Sequence, residues 1–180
     1  MTAPARPDAL AVLAPHCLDG RTALVTGGGS GIGRATALLL SSLGAHVAVT
    51  GRREDALAET VALAAADGAA HPVVAVPCDV REPELVDAML DAVLAELERV
   101  DILVNNAGGQ FVAPAESVSY KGFRAVTRLN LDATWYVTTQ VASRSMIPSG
   151  YGKVLSVTMS PRRGMPGMAP RRPRVPRSSR

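Results

Sequence analysis

Hydrophobic positions along the chain follow two different spacings, and the helical spacing is clearest over about residues 82–98. There the apolar residues recur at i, i+3, i+4, i+7, i+8 and i+11, which places them on one face of a helix. A face of this kind packs against a core, so the stretch predicts an amphipathic helix. The residues of this face are Val86, Met89, Leu90, Val93, Leu94 and Leu97.

Short runs rich in β-branched residues form the second pattern, and they alternate with helical stretches. This alternation favours a parallel sheet with right-handed crossovers, so the predicted fold class is α/β, a Rossmann-like doubly wound parallel sheet of about five strands. Ser119 is the predicted N-cap of the last helix. The predicted strands are Thr22–Thr26, His46–Thr50, Val73–Pro77, Ile102–Asn105 and Lys153–Thr158, and the predicted helices are Gly31–Ser42, Glu54–Asp67, about Glu82–Glu98 and about Tyr120–Met146.

Composition divides the chain into three parts. Residues 1–18 form a Pro/Ala-rich extension that we expect to be loosely ordered. Residues 19–168 carry the alternating pattern and are the predicted folded domain. Residues 169–180 hold five Arg and three Pro, and since these can neither pair in a sheet nor bury a face, we expect a disordered tail.

The basic charge of the chain belongs to its end. All sixteen acidic residues and twelve of the nineteen basic residues precede position 162, so this larger part is net negative. A basic body would indicate a nucleic-acid partner, and its absence argues against one. A basic nucleic-acid-binding arm at the end of the chain stays open as the alternative.

The two cysteines indicate neither a metal site nor a disulfide framework. Cys17 and Cys78 lie far apart and have no His at metal-ligand spacing. Lone cysteines fit a reducing compartment. The sequence shows neither a signal peptide nor a membrane span. We therefore expect a cytoplasmic protein without a bound metal and without a membrane partner.

The strongest local signal is the segment TGGGSGIG at residues 26–33, which follows the first strand and opens the first helix. Glycines allow a sharp turn and close approach to a pyrophosphate, whose charge then meets the helix N-terminus. The segment is not a P-loop, because Arg34 and Ala35 follow it where Lys and Ser/Thr are needed. A glycine-rich turn without a ligand is the alternative. The predicted cofactor-binding residues here are Thr26, Gly27, Gly29, Ser30, Gly31, Ile32 and Gly33.

Three motifs in order together resemble the short-chain dehydrogenase/reductase family. The segment TGGGSGIG matches the family's TGxxxGxG loop, the NNAG at residues 105–108 matches its NNAG, and Asp79 in CDV matches its adenine-contacting aspartate. The resemblance covers roughly Asp19–Met168 and implies that residues 19–168 are an incomplete NAD(P)-binding Rossmann domain. It implies that Asn105 stabilises the central strand and that the residues after it lie on the nicotinamide side. The cofactor-binding residues that it adds are Asp79, Val80, Asn105, Asn106, Ala107 and Gly108.

The end of the second strand indicates the cofactor. An acidic residue there binds the ribose 2′-hydroxyl of NAD, whereas an arginine accommodates the 2′-phosphate of NADP. This chain has Gly51 in the acidic position, followed by Arg52 and Arg53. Arginine's planar, permanently charged group suits a phosphate, so we expect NADP(H) bound by Arg52. Arg53 has the alternative role of a solvated residue at the start of a helix.

Asn130 is the predicted catalytic residue, on the inner face of the last helix, seven residues from both Phe123 and Val137. The resemblance implies an asparagine here that maintains a proton-relay water; a satisfied structural asparagine is the alternative. The family's Tyr-x3-Lys pair occurs nowhere in the sequence, and its serine position falls on Met159 beside a weaker candidate, Ser160. We therefore expect a C-terminally truncated domain, with a frame-shifted end as one explanation.

The segments NNAGGQFVAPAE, GFRAVTRLNLDATW and SPRRGMPGMA resemble the peroxisomal-type trans-2-enoyl-CoA reductase branch of the family. That resemblance implies NADPH-dependent reduction of an acyl-CoA double bond, an acyl-CoA partner, and homo-oligomers among the full-length relatives. Two alternatives stay open. One is a non-catalytic NADP-binding or interaction module, and the other is a short-chain dehydrogenase acting on a carbonyl or hydroxyl group of another substrate class.

Overall fold

Five parallel strands form one sheet in the computed structural model, which describes residues 13–159. The strand order is β3-β2-β1-β4-β5, and every neighbouring pair is parallel. The predicted α/β architecture is therefore confirmed. The strands are β1 (Thr22–Thr26), β2 (His46–Gly51), β3 (Val74–Pro77), β4 (Ile102–Asn105) and β5 (Lys153–Ser156).

Helices cover both faces of this sheet because the side chains of the central strand alternate between two cores. Ala23 and Val25 of β1 belong to the hydrophobic cluster that includes residues of α1 and α2, whereas Leu24 belongs to the cluster on the other face. Full burial of a Leu or Val side chain stabilises the folded state by about 1.5–3 kcal/mol. Side chains of β1 are buried on both faces, so both helical layers stabilise this strand. The helices are α1 (Gly31–Ser42), α2 (Glu54–Ala66), α3 (Pro83–Leu97), α4 (Tyr120–Thr127), α5 (Ala133–Val141) and α6 (Ile147–Ser149), with a 3₁₀ turn at Ala115–Ser117.

Helix α3 buries the predicted apolar face. Five of its six residues are buried and Leu94 is partly buried. Pro83 occupies the first turn of the helix, where its missing N–H group costs no hydrogen bond. The helical spacing read from the sequence is thus confirmed, and it fixes α3 on the core that contains Leu24.

The predicted last helix is a continuous helical segment over residues 120–149, but it contains two π-helical turns, Arg128–Asp132 and Ala142–Met146. The predicted N-cap is confirmed, since the Ser119 hydroxyl accepts a hydrogen bond of 3.0 Å from the Gly122 N–H.

The predicted inner-face position of Asn130 is wrong. Val137 is 1% exposed, whereas Phe123 is 56% exposed and Asn130 is also exposed among the described residues. Asn130 lies in the first π-helical turn, and such a turn carries an extra residue relative to an α-helix. A spacing of seven residues therefore does not keep one face across this turn.

Strand β5 is one of the two edge strands of the sheet among the described residues, and β3 is the other. Strand β5 pairs with β4 on one side and all four of its residues are exposed. It ends at Ser156, two residues earlier than predicted, although the Val157 N–H still donates to the Asn105 carbonyl oxygen. The basic tail, most of the N-terminal extension and Ser160 lie outside the described residues.

Two histidines stack at the end of the sheet where β2 begins. The rings of His46 and His71 lie 5.2 Å apart between centroids, with 29° between their planes. Burial lowers the pKa of His46 below its ordinary value, and the neighbouring His71 lowers it further, while Glu96 acts in the opposite direction. The folded protein thus favours the neutral form of His46.

We expect the free energy of unfolding to fall as pH drops below about 6.5, the ordinary pKa of histidine. In that range the unfolded chain binds a proton at His46 that the folded chain does not, and the loss levels off below the lowered folded-state pKa of His46. Melting temperatures measured from pH 8 to pH 5 should decline less steeply for His46→Gln than for the wild type. His71→Gln should reduce the slope in part. An unchanged slope in His46→Gln would contradict this assignment.

Candidate nucleotide-binding site

A cavity of about 420 Å³ lies at the carboxyl ends of the central strands. The strand order reverses between β1 and β4, and the crevice at such a point is where open α/β sheets bind their ligands. The loop after β1, the start of α2, the loop after β3 and the loop after β4 all contribute to its wall. The cavity is lined by Gly27, Gly29, Ser30, Ile32, Gly51, Arg52, Arg53, Ala56, Leu57, Cys78, Asp79, Val80, Asn106, Ala107, Gly108 and Leu129.

Ten of the predicted cofactor-binding residues share this wall, although they come from four separate segments of the chain. Four others, Thr26, Gly31, Gly33 and Asn105, do not line the cavity. The wall also includes side chains that the sequence did not single out, among them Ala56, Leu57 and Leu129. Their only sequence signal is the apolar spacing of the helices that carry them.

Gly33 is required because α1, the glycine loop (residues 26–33) and the loop after β4 meet at that point. A Cβ atom on Gly33 would lie 2.3 Å from the Gly27 carbonyl oxygen and 2.4 Å from Asn106 Nδ2. Gly27 itself has a φ of +67°, a conformation that L side chains rarely adopt. The glycines thus allow the loop and the first turn of α1 to approach closely.

Thr26 and Asn106 join the glycine loop to the loop after β4. The buried Thr26 hydroxyl accepts hydrogen bonds of 3.0 Å from the backbone N–H groups of Asn106 and Ala107. In the other direction, Asn106 Nδ2 donates to the carbonyl oxygens of Thr26 and Gly27 at 3.0 and 3.2 Å. Thr26 therefore does not line the cavity, but its hydrogen bonds hold together two of the loops that do.

Asn105 and Asn130 stabilise the other end of the site. Asn105 is buried, and its Nδ2 donates to Thr138 Oγ1 at 2.8 Å, which ties β4 to α5. Asn130 Oδ1 accepts from the Gly109 N–H at 3.1 Å, and its Nδ2 donates to the carbonyl oxygens of Gly109 and Val126 at 2.7 and 2.9 Å. The Asn130 amide thus holds the loop that follows the cavity wall.

Charged residues surround the cavity at the ends of β2 and β3. Arg52 and Arg53 line it from the end of β2, and Asp79 lines it after β3. Asp79 Oδ1 accepts from Arg81 Nε at 2.8 Å and from the Arg81 backbone N–H at 3.1 Å. These hydrogen bonds hold the pKa of Asp79 below its ordinary value, and the charge of Arg52 adds a smaller effect. The carboxylate is thus ionised at neutral pH.

Cys78 lines the cavity as a thiol. Burial, followed by the charge of Asp79, raises its pKa to about 11. The thiolate is the reactive form of cysteine, so this side chain stays unreactive near neutral pH.

Residues 21–169 match the model of the short chain dehydrogenase family. The chain belongs to this family. Members of the family bind a nicotinamide cofactor, and the cavity lies where that cofactor binds in such sheets. The family resemblance read from the three motifs is thereby confirmed.

Curated relatives of this chain differ in their substrates. The D-threitol dehydrogenase of Mycolicibacterium smegmatis is 37% identical over 78% of the chain and 53% of its own length. The peroxisomal 2,4-dienoyl-CoA reductase of Rattus norvegicus is 32% identical over 80% of the chain and 49% of its own length. The chain therefore spans about half the length of these relatives.

Solved structures match the fold of this short-chain dehydrogenase closely. The citronellol catabolism dehydrogenase of Pseudomonas aeruginosa superimposes with a TM-score of 0.81 at 41% identity, over 87% of this chain and 63% of that one. A 7α-hydroxysteroid dehydrogenase complexed with NADH has a TM-score of 0.74 at 33% identity, covering 79% and 55%. An actinorhodin polyketide ketoreductase with NADPH has a TM-score of 0.72 at 32% identity, covering 76% and 52%. Both forms of the cofactor thus occur among similar structures.

Residues 13–159 offer neither a membrane-spanning helix nor a cluster of metal-ligating side chains. None of the helices there is long and apolar enough to cross a membrane. The same residues contain no group of three or more His, Cys, Asp or Glu side chains placed to hold a metal ion.

We expect Gly33→Ala to destabilise the fold by about 1–3 kcal/mol, the usual cost of overpacking a close contact. The new Cβ would meet the Gly27 carbonyl oxygen, which is backbone and cannot move without displacing the glycine loop. Thermal unfolding of the purified chain measures the effect. Gly51→Ala is the matched control, because its Cβ would meet nothing closer than Leu57 Cδ2 at 3.7 Å. Equal melting temperatures for the two variants would contradict the packing argument.

Proposed function

We propose that this short-chain dehydrogenase binds NADP(H) and that its family chemistry is the NADPH-dependent reduction of the double bond of a trans-2-enoyl-CoA. The observation that carries the cofactor assignment is the end of β2, where Gly51 and Arg52 both line the cavity. The acidic side chain that would bind the 2′-hydroxyl of NAD is absent from this position, and a guanidinium group follows it.

The described residues fit a dinucleotide. Gly29 and Ser30 line the cavity at the start of α1, and a helix N-terminus favours a pyrophosphate. A Cβ atom on Gly29 would come within 3.1 Å of Ala56 Cβ, so glycine at this position lets the loop pack closely on the start of α2. In the proposal, Asp79 contacts the adenine, Arg52 contacts the 2′-phosphate, and Ala107 and Gly108 lie on the nicotinamide side. When bound, the cofactor supplies a hydride.

The enoyl-CoA assignment is supported by the motif segments and by the 2,4-dienoyl-CoA reductases among the relatives. A substrate with a hydroxyl or carbonyl group is the second candidate, favoured by the similarity to D-threitol dehydrogenase. A non-catalytic NADP-binding module is the third, because the 180-residue sequence contains no Tyr-x3-Lys. A cytoplasmic location is part of the proposal and is supported by the free thiols of Cys17 and Cys78.

We expect the chain to bind NADPH more tightly than NADH, by about tenfold to a hundredfold, because a charge-assisted contact to the 2′-phosphate contributes about 1.5–3 kcal/mol. Arg52→Ala should remove most of this preference, whereas Gly51→Asp should shift it toward NADH. Titration calorimetry or nucleotide fluorescence gives both dissociation constants. Arg53→Ala is the neighbouring control and should change the preference less. Equal affinity of the wild type for the two cofactors would refute the assignment.

We expect the 180-residue chain to show no enoyl-CoA-dependent oxidation of NADPH above background, even though it binds the cofactor. Hydride transfer needs a positioned proton donor, and the Tyr-x3-Lys pair that supplies it in the family does not occur in the sequence. Loss of general acid catalysis costs about 10²–10⁴-fold in rate. The assay is the decrease in NADPH absorbance with crotonyl-CoA.

Robust turnover of crotonyl-CoA would contradict this expectation. If Asn130→Ala abolished that turnover, Asn130 would be a catalytic residue that works with a proton donor other than Tyr-x3-Lys. If Asn130→Ala lowered the melting temperature and left the rate unchanged, the amide would act through the loop contacts at Gly109 alone.

A further inference from the structure

Three consecutive carbonyl groups of the glycine loop are each occupied by a side-chain donor. The Gly27 oxygen accepts from Asn106 Nδ2 at 3.2 Å. The Gly28 oxygen accepts from Thr60 Oγ1 at 2.9 Å, and the Gly29 oxygen accepts from Arg34 Nη2 at 2.5 Å. The Ala56 carbonyl oxygen lies farther from Thr60 Oγ1, at 3.1 Å, and shares the same hydroxyl hydrogen. An unoccupied carbonyl oxygen directed at a pyrophosphate would repel it, so the direction of these groups matters for binding.

Thr60 and Arg34 both fix the loop against α2. Thr60 is 0% exposed and lies in the middle of α2. Arg34 Nε donates to Thr60 Oγ1 at 3.1 Å, and Arg34 Nη2 also reaches the Ala56 carbonyl oxygen at 3.3 Å. The two side chains therefore form one hydrogen-bonded pair between α1, α2 and the glycine loop, which we call the Arg34–Thr60 pair.

The pair determines where the neighbouring N–H groups point. A trans peptide unit is planar, and its N–H points opposite to its C=O. Because the Gly28 and Gly29 oxygens point toward Thr60 and Arg34, the N–H groups of Gly29 and Ser30 point the other way. Gly29 and Ser30 both line the cavity. The hydrogen bonds to α2 thus set the orientation of the donors available to an anion.

Arg34 is not itself an anion ligand. Its Nη2 lies 2.7 Å from Glu59 Oε2, and hydrogen bonding to Arg34 is the main cause that lowers the pKa of Glu59. The positive charge is thus neutralised by a neighbour, and Arg34 is absent from the cavity wall. Its role toward a ligand is therefore to orient the loop.

We propose that Arg34 and Thr60 are positioning residues for the pyrophosphate of the dinucleotide, because they hold the carbonyl groups of Gly28 and Gly29 away from it. This inference rests on the proposed function, namely that the cavity binds a nicotinamide dinucleotide. A purely structural role would weaken the binding of every ligand of the cavity. The positioning role instead affects only ligands that contain the pyrophosphate, whereas Arg52 acts on the 2′-phosphate.

The test compares two ligands on the full 180-residue chain. NADPH contains the pyrophosphate, and 2′-AMP contains the adenine and the 2′-phosphate without it. Thr60→Val keeps the shape of the side chain and removes the donor, so it should weaken NADPH binding about three- to tenfold, the usual effect of one lost hydrogen bond. It should leave the affinity for 2′-AMP unchanged. Arg52→Ala should weaken the binding of both ligands.

Two further variants separate positioning from folding. Thr60→Ser retains the hydroxyl and should restore the wild-type affinity for NADPH. Arg34→Lys keeps the charge but loses the planar fork, so it should reproduce the selective loss. Thr139→Val is the matched control, since Thr139 Oγ1 donates to the Tyr136 carbonyl oxygen in α5, away from the cavity. Melting temperatures accompany every titration.

Each outcome decides one point. If the wild type binds neither NADPH nor NADH, the proposed function fails. If the wild type binds NADPH and both Thr60→Val and Arg34→Lys bind it equally well, the positioning role is overturned and the proposed function stands. An equal loss of NADPH and 2′-AMP affinity in these variants would show a structural role alone. If Thr60→Val does not fold, Arg34→Lys together with Thr60→Ser decides the question in the same way.

Discussion

The close approach of the glycine loop to the loop after β4 is the contact on which the site depends. It requires glycine at position 33, since a Cβ there would lie only 2.3 Å from the Gly27 oxygen and 2.4 Å from Asn106 Nδ2. Because the approach is possible, the Thr26 hydroxyl can accept two backbone N–H groups from the neighbouring loop. The carboxyl ends of β1 and β4 are thus joined by side-chain hydrogen bonds beyond the pairing of the strands, and the cavity opens beside this junction.

The fold could be predicted from the sequence to the extent that it depends on local spacing. The apolar face of α3 and the β-branched runs each follow from the period of one element, and the parallel sheet follows once the elements alternate. The order of the strands does not follow from this alternation. The π-helical turn at Arg128–Asp132 could not be predicted in this way, because RLNLD contains no residue that breaks a helix. The seven-residue spacing from Asn130 to Val137 crosses part of this turn, and of the two residues only Val137 is buried.

The same distinction between local and distant information applies to the site. Gly27 has a positive φ and Gly33 leaves no room for a Cβ atom, so both positions require glycine. Because glycine can be read directly from the sequence, the loop could be recognised from the chain alone. Arg34 was visible only as a residue that excludes a P-loop, because its partner Thr60 lies 26 residues later. Arg81 is closer to its partner, and an Asp followed two residues later by an Arg could have indicated the pair. Apolar wall residues such as Leu57 and Leu129 carry no signal that separates a cavity wall from a core.

The π-helical turn also makes the helix over residues 120–149 sensitive to length at one point. The turn takes up one residue more than a regular α-helical turn, so deletion of a single residue within Arg128–Asp132 would let α-helical winding run through while both flanking segments keep their faces. The segment that follows would stay anchored by the buried Val137 and Val141 and by Thr138 on Asn105. The change would fall on the turn itself, which carries Asn130 and its hydrogen bonds to Gly109. A one-residue deletion there would therefore act on the loop at Gly109 while leaving both ends of the helix in place.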